Sequence, residues 1–316
     1  MDNLPVLIIA YQRPEFLKQI LVNLPEFVDD VFISVDFPRN PTAESMARHL
    51  QVLEEVSQFR ATFVGHVHFY FRKENVGCSA AVVSSCDWFF SNVTYGAILE
   101  DDCLPSKEFF GFVMNGKKFI STVPEILLIC GHQAVPHEVA GDSWALSSYP
   151  LIWGWGTTSL KWKTMKSLII SGNISQAINK KPKLKRREFS FFYAGARRSR
   201  NGYMDAWDAP LLFGMLLNGY KAILPPRNLI NNVGNDDVAV HTSKKSRWVN
   251  LEPESIQSQN EVPRESNMID RWLITNYFKI RFRHVLSTRI TWFFDLMRKP
   301  KYEKLAIRIS NARIGN

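Results

Sequence analysis

Three consecutive carboxylates, Glu100, Asp101 and Asp102, directly follow the apolar run 97–99. Adjacent negative charges at the end of a strand repel one another and need a counter-cation. Hard divalent ions such as Mg²⁺ and Mn²⁺ prefer oxygen ligands, and they commonly bridge one or two carboxylates to substrate phosphates. The alternative is a solvated acidic turn ahead of the helix that begins near Ser106, because acidic side chains favour helix N-termini. These residues alone do not decide between a metal site and a helix cap.

A second pair of carboxylates, Asp205 and Asp208, opens an apolar helix that runs to about Leu217. The pair Asn218 and Gly219 then predicts a C-cap. Capping explains one carboxylate at the start of this helix. The other could act as a general base if it faces a pocket.

The first 135 residues alternate short apolar runs with helical patterns, which predicts an α/β fold with a parallel or mostly parallel sheet flanked by crossover helices. The predicted strands and helices are, in chain order, 6–11 (strand), 14–24 (helix), 31–37 (strand), 42–59 (helix), 67–71 (strand), 79–92 (helix, capped by Ser79), 97–100 (strand), 106–120 (helix) and 126–130 (strand).

Polar side chains stand at the end of each of the first four strands. They are Gln12 and Arg13, then Asp36, then residues 72–75, then residues 100–102. Ligands of such sheets bind outside the carboxyl ends of the strands. A single polar strand end is usually a solvated loop, but four at one rim predict a pocket for a ligand that bears phosphate.

After residue 140 the alternation of strand and helix patterns gives way to segments rich in tryptophan and glycine and to segments of mixed composition. Trp153, Gly154, Trp155 and Gly156 combine large rings with residues that let the backbone approach a ligand closely, although core packing also explains clustered tryptophans. Residues 179–188 (NKKPKLKRRE) are charged and interrupted by proline, which predicts a surface loop. A short strand is expected at 222–224.

The chain has 316 residues, of which 46% are hydrophobic and 22% charged, an ordinary globular composition. No stretch has the apolar length of a membrane span, and no secretory signal pattern precedes the first strand. We therefore expect a cytoplasmic protein. The four cysteines lack CxxC pairing, which favours free thiols in a reducing compartment.

The net charge of +9 is confined to the C-terminal segment. Residues 271–316 hold eleven Lys or Arg against two acids, and residues 1–270 hold 28 of each sign. A neutral body argues against a nucleic-acid partner. The segment also alternates basic residues with aromatic ones, a pattern typical of helices that bind anionic membrane surfaces. The alternative is a terminal helix that packs on the body and exposes a basic face.

Several segments together resemble GT-A glycosyltransferases of the N-acetylglucosaminyltransferase I-like type, and especially bacterial haemolytic-protein-type sugar transferases. The similar segments are PVLIIAYQRP (5–14), ENVGC (74–78), DWFF (87–90), LEDDCLPS (99–106), WGWGT (153–157), DAWD (205–208) and 228–242. They run in order over about residues 5–242, and ENVGC and LEDDCLPS are the most specific.

The resemblance implies roles for individual residues. The nucleotide site would comprise Ala10, Tyr11, Arg13 (at the diphosphate), Asp36 (at the uracil), Arg72, Asn75, Gly77, Glu100 (near the donor sugar or metal-bound water) and Asp101 (at the ribose). The metal, Mn²⁺ or Mg²⁺, would be held by Asp102 with His241 nearby. Asp208 would be the catalytic base, with Asp205 as its rival because Ala209 and Pro210 depart from the family pattern. Trp153, Gly154 and Trp155 would wall the donor and acceptor pocket.

The resemblance thus implies a GT-A fold and a metal-dependent inverting transfer from a UDP-sugar to a hydroxyl of a glycan or glycolipid. We expect a catalytic domain over 1–245, with a nucleotide-binding half (1–135) and an acceptor half (136–245). Residues 246–316 would form a basic amphipathic tail docked on the inner face of the cytoplasmic membrane. Two alternatives are a sugar-phosphate nucleotidylyltransferase, which expects a glycine-rich loop after the first strand, and a catalytically inactive membrane-binding module.

Overall fold

The apolar run 6–10 forms strand β1, and all five of its residues are buried at the centre of a large sheet. The computed structural model describes residues 3–171, 185–234, 248–256 and 262–280. Within them the chain is a mixed α/β structure with a mostly parallel central sheet flanked by helices. This is the Rossmann-like class that the alternating pattern predicts.

The strands are β1 (Val6–Ala10), β2 (Asp30–Val35), β3 (His66–Phe71), β4 (Tyr95–Glu100), β5 (Cys103–Pro105), β6 (Ile126–Cys130), β7 (Ala145–Ser147), β8 (Trp155–Thr158), β9 (Lys221–Leu224), β10 (Ile230–Asn232) and β11 (Arg264–Glu265). The helices are α1 (Pro14–Val22), α2 (Ala43–Thr62), α3 (Cys78–Asn92), α4 (Lys107–Thr122), α5 (His137–Ala140), α6 (Ser159–Ser171), α7 (Arg186–Arg200), α8 (Asp208–Asn218) and α9 (Asn267–Trp272), which continues into a π-helical turn (Leu273–Tyr277).

Among the described residues, nine strands form the central sheet in the order β11-β7-β9-β6-β8-β4-β1-β2-β3. Strands β3, β2, β1 and β4 are parallel, and β8 lies antiparallel between β4 and β6. The chain leaves β1 toward β2 on one side and reaches β4 on the other. Ligands of open α/β sheets bind at such a switch point, outside the carboxyl ends of the strands.

Alternate residues of β1 serve two cores, one on each face of the sheet. Leu7 and Ile9 belong to the core covered by α3, α6, α7 and α8, whereas Val6 and Ile8 belong to the core covered by α1, α2 and α4. Because a strand buried on both faces has no polar side, β1 is a continuous apolar run. The rigid layers on both sides hold the strand ends in place.

The secondary structure predicted for residues 6–130 is present, with ends that differ by up to three residues. Thr42 is the N-cap of α2, where its hydroxyl accepts from the backbone N–H of Ser45. Gly219 ends α8 in the left-handed conformation, as the C-cap pattern predicts. Of the predicted loop 179–188, residues 179–184 lie outside the described residues, and Arg186 to Glu188 instead begin α7.

The boundary predicted at residue 245 does not separate a tail from the body. Strand β11 pairs with β7 in the central sheet, and Ile269, Leu273 and Ile280 are buried in the core under α7 and α8. The packing of these apolar residues, rather than the charge of the segment, decides where it lies. The membrane prediction for residues 281–316 falls outside the described residues. Within the described ranges, no helix is long and apolar enough to cross a membrane.

Candidate functional site

The loops that follow β1, β2 and β4 are tied together by backbone hydrogen bonds beyond the strand ends. Asp36 donates its backbone N–H to the carbonyl of Ala10 at 3.1 Å. Asp101 donates its backbone N–H to the carbonyl of Ile9 at 3.0 Å. These bonds continue the parallel pairing and bring the three polar strand ends to one rim.

A cavity of about 520 Å³ opens at this rim, and we call it the strand-end cavity. Twelve residues predicted for the site line it: Ala10, Tyr11, Arg13, Asp36, Asn75, Gly77, Glu100, Asp101, Asp102, Trp153, Asp205 and Asp208. The cavity therefore collects side chains from widely separated parts of the chain. His241 lies outside the described residues.

Asp101 fixes the position of Arg13. One carboxylate oxygen accepts from the Arg13 guanidinium at 3.0 Å, and the other accepts from the backbone N–H of Tyr11 at 2.7 Å. Burial raises the pKa of Asp101, and Arg13 opposes this rise. Because both oxygens already accept from the protein, the first task of Asp101 is to hold the loop after β1 and to aim Arg13 at the cavity.

Glu100 stands at the end of β4 among other carboxylates. Burial raises its pKa, and the negative charges of Asp102, Asp101 and Asp208 raise it further, whereas Arg13 lowers it. Four acidic side chains thus share one region with one close arginine. Carboxylates gathered in this way, with the pKa of Glu100 raised by its acidic neighbours, are typical of functional sites and favour a bound cation.

Asp102 is less enclosed than Asp101, with 21% of its side chain exposed. Its carboxylate is 3.5 Å from the Arg13 guanidinium and accepts a long 3.4 Å bond from the side-chain amide of Asn232. Gly234 packs so closely that a Cβ atom there would collide with the Asp102 carboxylate. The chain after β10 therefore positions Asp102 while leaving part of its carboxylate open to the cavity.

These residues suit a hard divalent cation in part. Across the described portion of the chain, no three His, Cys, Asp or Glu side chains are grouped so that they could hold a metal ion by themselves. The available donors at the rim are carboxylate oxygens, the ligand type that Mg²⁺ and Mn²⁺ favour. Because Mg²⁺ is often bound through only one or two carboxylates plus phosphates and water, the donor set fits an ion that binds together with a diphosphate.

Asp36 organises the loop between β3 and α3. Its carboxylate accepts from the side-chain amide of Asn75 at 3.0 Å and from the backbone N–H of Phe37 at 3.0 Å. The Asn75 amide also donates to the carbonyl of Phe37 at 2.7 Å. Burial raises the pKa of Asp36 to about 6, although the positive charge of Arg72 lowers it.

This raised pKa predicts a pH-dependent stability. The folded state keeps a proton on Asp36 up to about pH 6, whereas the unfolded chain releases it near pH 4. The contribution of Asp36 to the free energy of unfolding should therefore decrease by about 2 kcal/mol as the pH rises from 4 to 6. Urea unfolding at half-unit pH steps should show a smaller decrease for Asp36→Asn than for the wild type. The exposed control Asp29→Asn should keep the full decrease, and parallel profiles for wild type and Asp36→Asn would contradict the prediction.

Asp205 caps a helix other than the one it precedes. Its carboxylate accepts from the backbone N–H groups of Cys78 and Ser79, at 2.9 and 3.1 Å, at the start of α3. It also accepts from Arg39 at 3.3 Å. The cap of α3 is therefore Asp205, from more than 120 residues away, rather than the predicted Ser79. This occupation makes Asp205 a poor candidate for a base.

Removing this cap should destabilise the fold. Asp205→Ala should lower the free energy of unfolding by about 1–2 kcal/mol, because two N–H groups of α3 lose their acceptor. Asp205→Asn should recover most of the loss, since asparagine also caps helices well. Chemical unfolding would measure both, with Asp29→Ala as an exposed control that should cost little. Equal stability of Asp205→Ala and wild type would contradict the capping role.

Asp208 is the first residue of α8 and is exposed to solvent. Its carboxylate accepts from the backbone N–H of Ala209 at 2.9 Å. Its charge raises the pKa of Glu100 and of Tyr277, so it lies near both. Of the two carboxylates in the DAWD segment, Asp208 is the one that combines exposure with a place on the cavity wall.

Arg72 does not line the strand-end cavity. Its guanidinium donates to the hydroxyls of Ser34, Ser84 and Ser85 at 2.7–3.0 Å and to the carbonyl of Ala81 at 3.1 Å. It also lies over the ring of Tyr70. Arg72 thus joins β2, β3 and α3 inside the protein, and it reaches the site only through its charge on Asp36. The prediction that Arg72 contacts the nucleoside is therefore wrong, because Arg72 does not line the cavity.

The tryptophan segment divides between the cavity and the core. Trp153 lines the strand-end cavity, but Trp155 is buried against Trp162 and Trp207. Gly154 has a φ of +62°, and a side chain there would meet Ile230. Of the three residues predicted as a ligand wall, Trp153 alone lies on the wall, and the other two serve packing.

Several residues on the wall were not predicted. Arg39 follows β2 closely, so its place near the other strand ends could have been inferred from the sequence. Trp248 and Tyr277 come from the segment interpreted as a tail, and their rings pack 5.2 Å apart across the cavity wall. Asn232 and Gly234 approach Asp102 because β10 pairs with β5, directly after the acidic run. Nothing local in the sequence signals these contacts.

Comparisons with known proteins give no family assignment. No protein-family model matches the chain, and no curated protein matches it. Among solved structures, it is similar to HddC from Yersinia pseudotuberculosis at 11% identity, over 50% of this chain and 77% of that chain, with a TM-score of 0.27. A similarity this low supports no argument about the site, which must be interpreted from its own residues.

Proposed function

We propose that this protein is a metal-dependent glycosyltransferase of the GT-A type. It transfers a sugar, with inversion, from a UDP-sugar donor to a hydroxyl of a glycan or glycolipid acceptor. The sequence resemblance suggested this activity, and the geometry of the strand-end cavity supports it.

One observation carries the proposal. The acidic run at the end of β4 and the exposed carboxylate of Asp208 line the same cavity at the switch point of the sheet. A sugar transfer needs positive charge at the leaving diphosphate and a base at the acceptor hydroxyl. Arg13, beside Asp102, provides the positive charge, and Asp208 at the start of α8 provides the base.

In the proposed reaction, Asp208 takes the proton of the acceptor hydroxyl. The oxygen of that hydroxyl attacks the anomeric carbon at the same time. The bond between that carbon and the diphosphate oxygen breaks, and the diphosphate leaves with the bonding electrons. Arg13 offers its guanidinium to the departing charge, and Asp101 keeps this guanidinium oriented. A divalent cation held by Asp102, when bound, would add electrostatic stabilisation of the same charge.

The nucleoside would occupy the part of the cavity near β1 and β2. Asp36 and Asn75 line that part, and their mutual hydrogen bond holds their polar atoms in place. Asp36 is suited to accept from a pyrimidine ring N–H, whereas both N–H groups of the Asn75 amide already donate to Asp36 and Phe37, so Asn75 orients Asp36. Tyr11, whose hydroxyl accepts from the backbone N–H of Arg39 at 3.0 Å, would stand beside the ring.

A panel of nucleotide-sugars tests the proposal. Each donor is incubated with Mn²⁺ or Mg²⁺, and release of nucleoside diphosphate is compared with a reaction that contains EDTA. The proposal predicts metal-dependent release from a UDP-sugar. A parallel reaction with UTP and sugar 1-phosphates tests the nucleotidylyltransferase alternative, against which stands the loop 11–13, which contains no glycine. Pyrophosphate release there, with no turnover of any nucleotide-sugar, would overturn the proposal.

Membrane docking remains a separate proposal. We propose that residues 281–316, which carry nine of the eleven basic residues counted from position 271, associate peripherally with the anionic inner face of the cytoplasmic membrane. Trp272, Tyr277 and Phe278, assigned from the sequence to this surface, instead pack against the body. A chain that ends at residue 280 should lose its membrane association in cell fractions. Unchanged association would refute the docking.

A further inference from the structure

A second cavity of about 470 Å³ adjoins the strand-end cavity, and we call it the aromatic cavity. Its walls come from α7, α8, residues 150–153 and the π-helical turn. Ile152, Trp153, Asp208 and Tyr277 line both cavities. The candidate base therefore stands where the two cavities meet.

The aromatic cavity is mostly apolar. Apart from Trp153, Ser190, Arg198, Asp208 and Tyr277, its described lining residues have no side-chain nitrogen or oxygen. Phe191, Leu212 and Phe278 are only partly buried, so they present apolar surface to the cavity. Covering the apolar surface of a concave site with an apolar ligand removes that surface from water, which lowers the free energy.

The charged parts of a nucleotide-sugar do not suit this lining. Phosphate and sugar hydroxyls that lose water need hydrogen-bonding partners in exchange, and the strand-end cavity supplies them. A free oligosaccharide would meet the same shortage of partners in the aromatic cavity. A molecule with a hydroxyl at one end and an apolar body behind it suits both Asp208 and the walls beyond it.

We propose that the aromatic cavity binds the apolar aglycone of the acceptor, so that the acceptor is a glycolipid rather than a free glycan. This inference rests on the proposed function, since it takes Asp208 as the base. The reactive hydroxyl lies at Asp208, and the aglycone lies between α7, α8 and the π-helical turn. Arg198, exposed on α7, is the one cationic side chain among the described residues of this wall.

Binding of two simple glycosides to the full-length protein tests this inference without any donor. Octyl β-D-glucopyranoside, kept below its micelle concentration, is compared with methyl β-D-glucopyranoside by saturation-transfer NMR and calorimetry. Each buried methylene can strengthen binding by roughly fourfold, so we expect the octyl glycoside to bind at least about tenfold more tightly. Equal affinities would overturn the inference.

Gly195→Leu should block the site, since Gly195 lines the aromatic cavity on α7. A Cβ atom there would lie 3.7 Å from the Cβ of Ala209, an ordinary contact, so a side chain can begin at this position without a clash at its Cβ. Leu212→Asp is a second variant, which places a charge on the wall, and Leu160→Asp is its control at a 70% exposed position elsewhere. Both cavity variants should weaken octyl glucoside binding at least about tenfold, and the control should not.

UDP with Mn²⁺ separates failure of this inference from failure of the proposed function. If the thermal shift by UDP and Mn²⁺ persists but octyl glucoside binds all variants equally, the aglycone site is refuted and the proposed transferase survives. If UDP and Mn²⁺ give no shift in the wild type, the proposed function fails first. Octyl glucoside binding that requires deletion of residues 281–316 would assign the aromatic cavity to the chain's own segment and refute the inference.

Discussion

Asp208→Asn should lower the turnover of the active nucleotide-sugar by about 10²–10⁴-fold, the usual contribution of a general base. Asparagine keeps the side-chain oxygen that accepts from the backbone of Ala209, so the start of α8 should remain intact. It cannot take a proton from the acceptor. The affinity for UDP with Mn²⁺ should change little, because the loss concerns the acceptor side of the cavity. Steady-state kinetics and a UDP thermal shift measure the two effects separately.

Asp205→Asn is the matched control for this prediction. Asp205 is three positions away and lines the same cavity, but its carboxylate is occupied by the N–H groups of Cys78 and Ser79. We expect Asp205→Asn to keep turnover within a few-fold of the wild type. If Asp205→Asn loses turnover at unchanged melting temperature while Asp208→Asn does not, the assignment of the base is reversed.

Asp102→Asn should remove the Mn²⁺-dependent part of the stabilisation by UDP. With UDP at about 100 times its dissociation constant, the wild type should gain about 2.7 kcal/mol, a rise in melting temperature of roughly 5 °C. A neutral amide is a much weaker ligand for a hard cation than a carboxylate. The variant should therefore show the same small shift with and without Mn²⁺. Differential scanning fluorimetry with UDP, Mn²⁺, both and neither measures this.

The melting temperature without ligands distinguishes loss of a ligand from damage to the fold. The charge of Asp102 raises the pKa values of Glu100 and Asp101, so its removal relieves repulsion inside the site. We expect the ligand-free Asp102→Asn to be at least as stable as the wild type. Asp29→Asn, at an exposed carboxylate before β2 and therefore at the opposite end of that strand from the cavity, should leave both the stability and the Mn²⁺ response unchanged. A full Mn²⁺ response in Asp102→Asn would refute its role as a ligand.

The sequence was informative where local rules control the outcome. Buried parallel strands are continuous apolar runs, so β1, β2, β4 and β6 could be located without tertiary information. Once the strands are known, the parallel topology sends their carboxyl ends to one edge. Arg13, Asp36, Asn75 and Asp102 could therefore be gathered into one site from their positions alone.

The sequence was less informative about the direction in which a side chain points and about the groups to which it bonds. Arg72 directly follows a strand, like the residues of the cavity, yet its side chain turns into the protein and bonds to three serines. Trp155 lies two positions after Trp153, but Gly154 between them has a φ of +62°, and Trp155 is buried while Trp153 lines the cavity. Position along the chain predicts the neighbourhood of a residue. Whether its side chain faces the cavity depends on packing by elements far away.

The acidic run 100–102 and the carboxylates Asp205 and Asp208 show which features follow from the sequence and which depend on the tertiary structure. From the sequence, Glu100, Asp101 and Asp102 are a cluster of charge at a strand end, since local hydrophobicity and spacing are enough to place them. Tertiary structure assigns Asp101 to Arg13 and leaves Asp102 open to the cavity, because the loop after β1 and the chain after β10 approach it from different directions. It likewise commits Asp205 to α3 and exposes Asp208, since a carboxylate bonds to whichever N–H groups the fold brings near it.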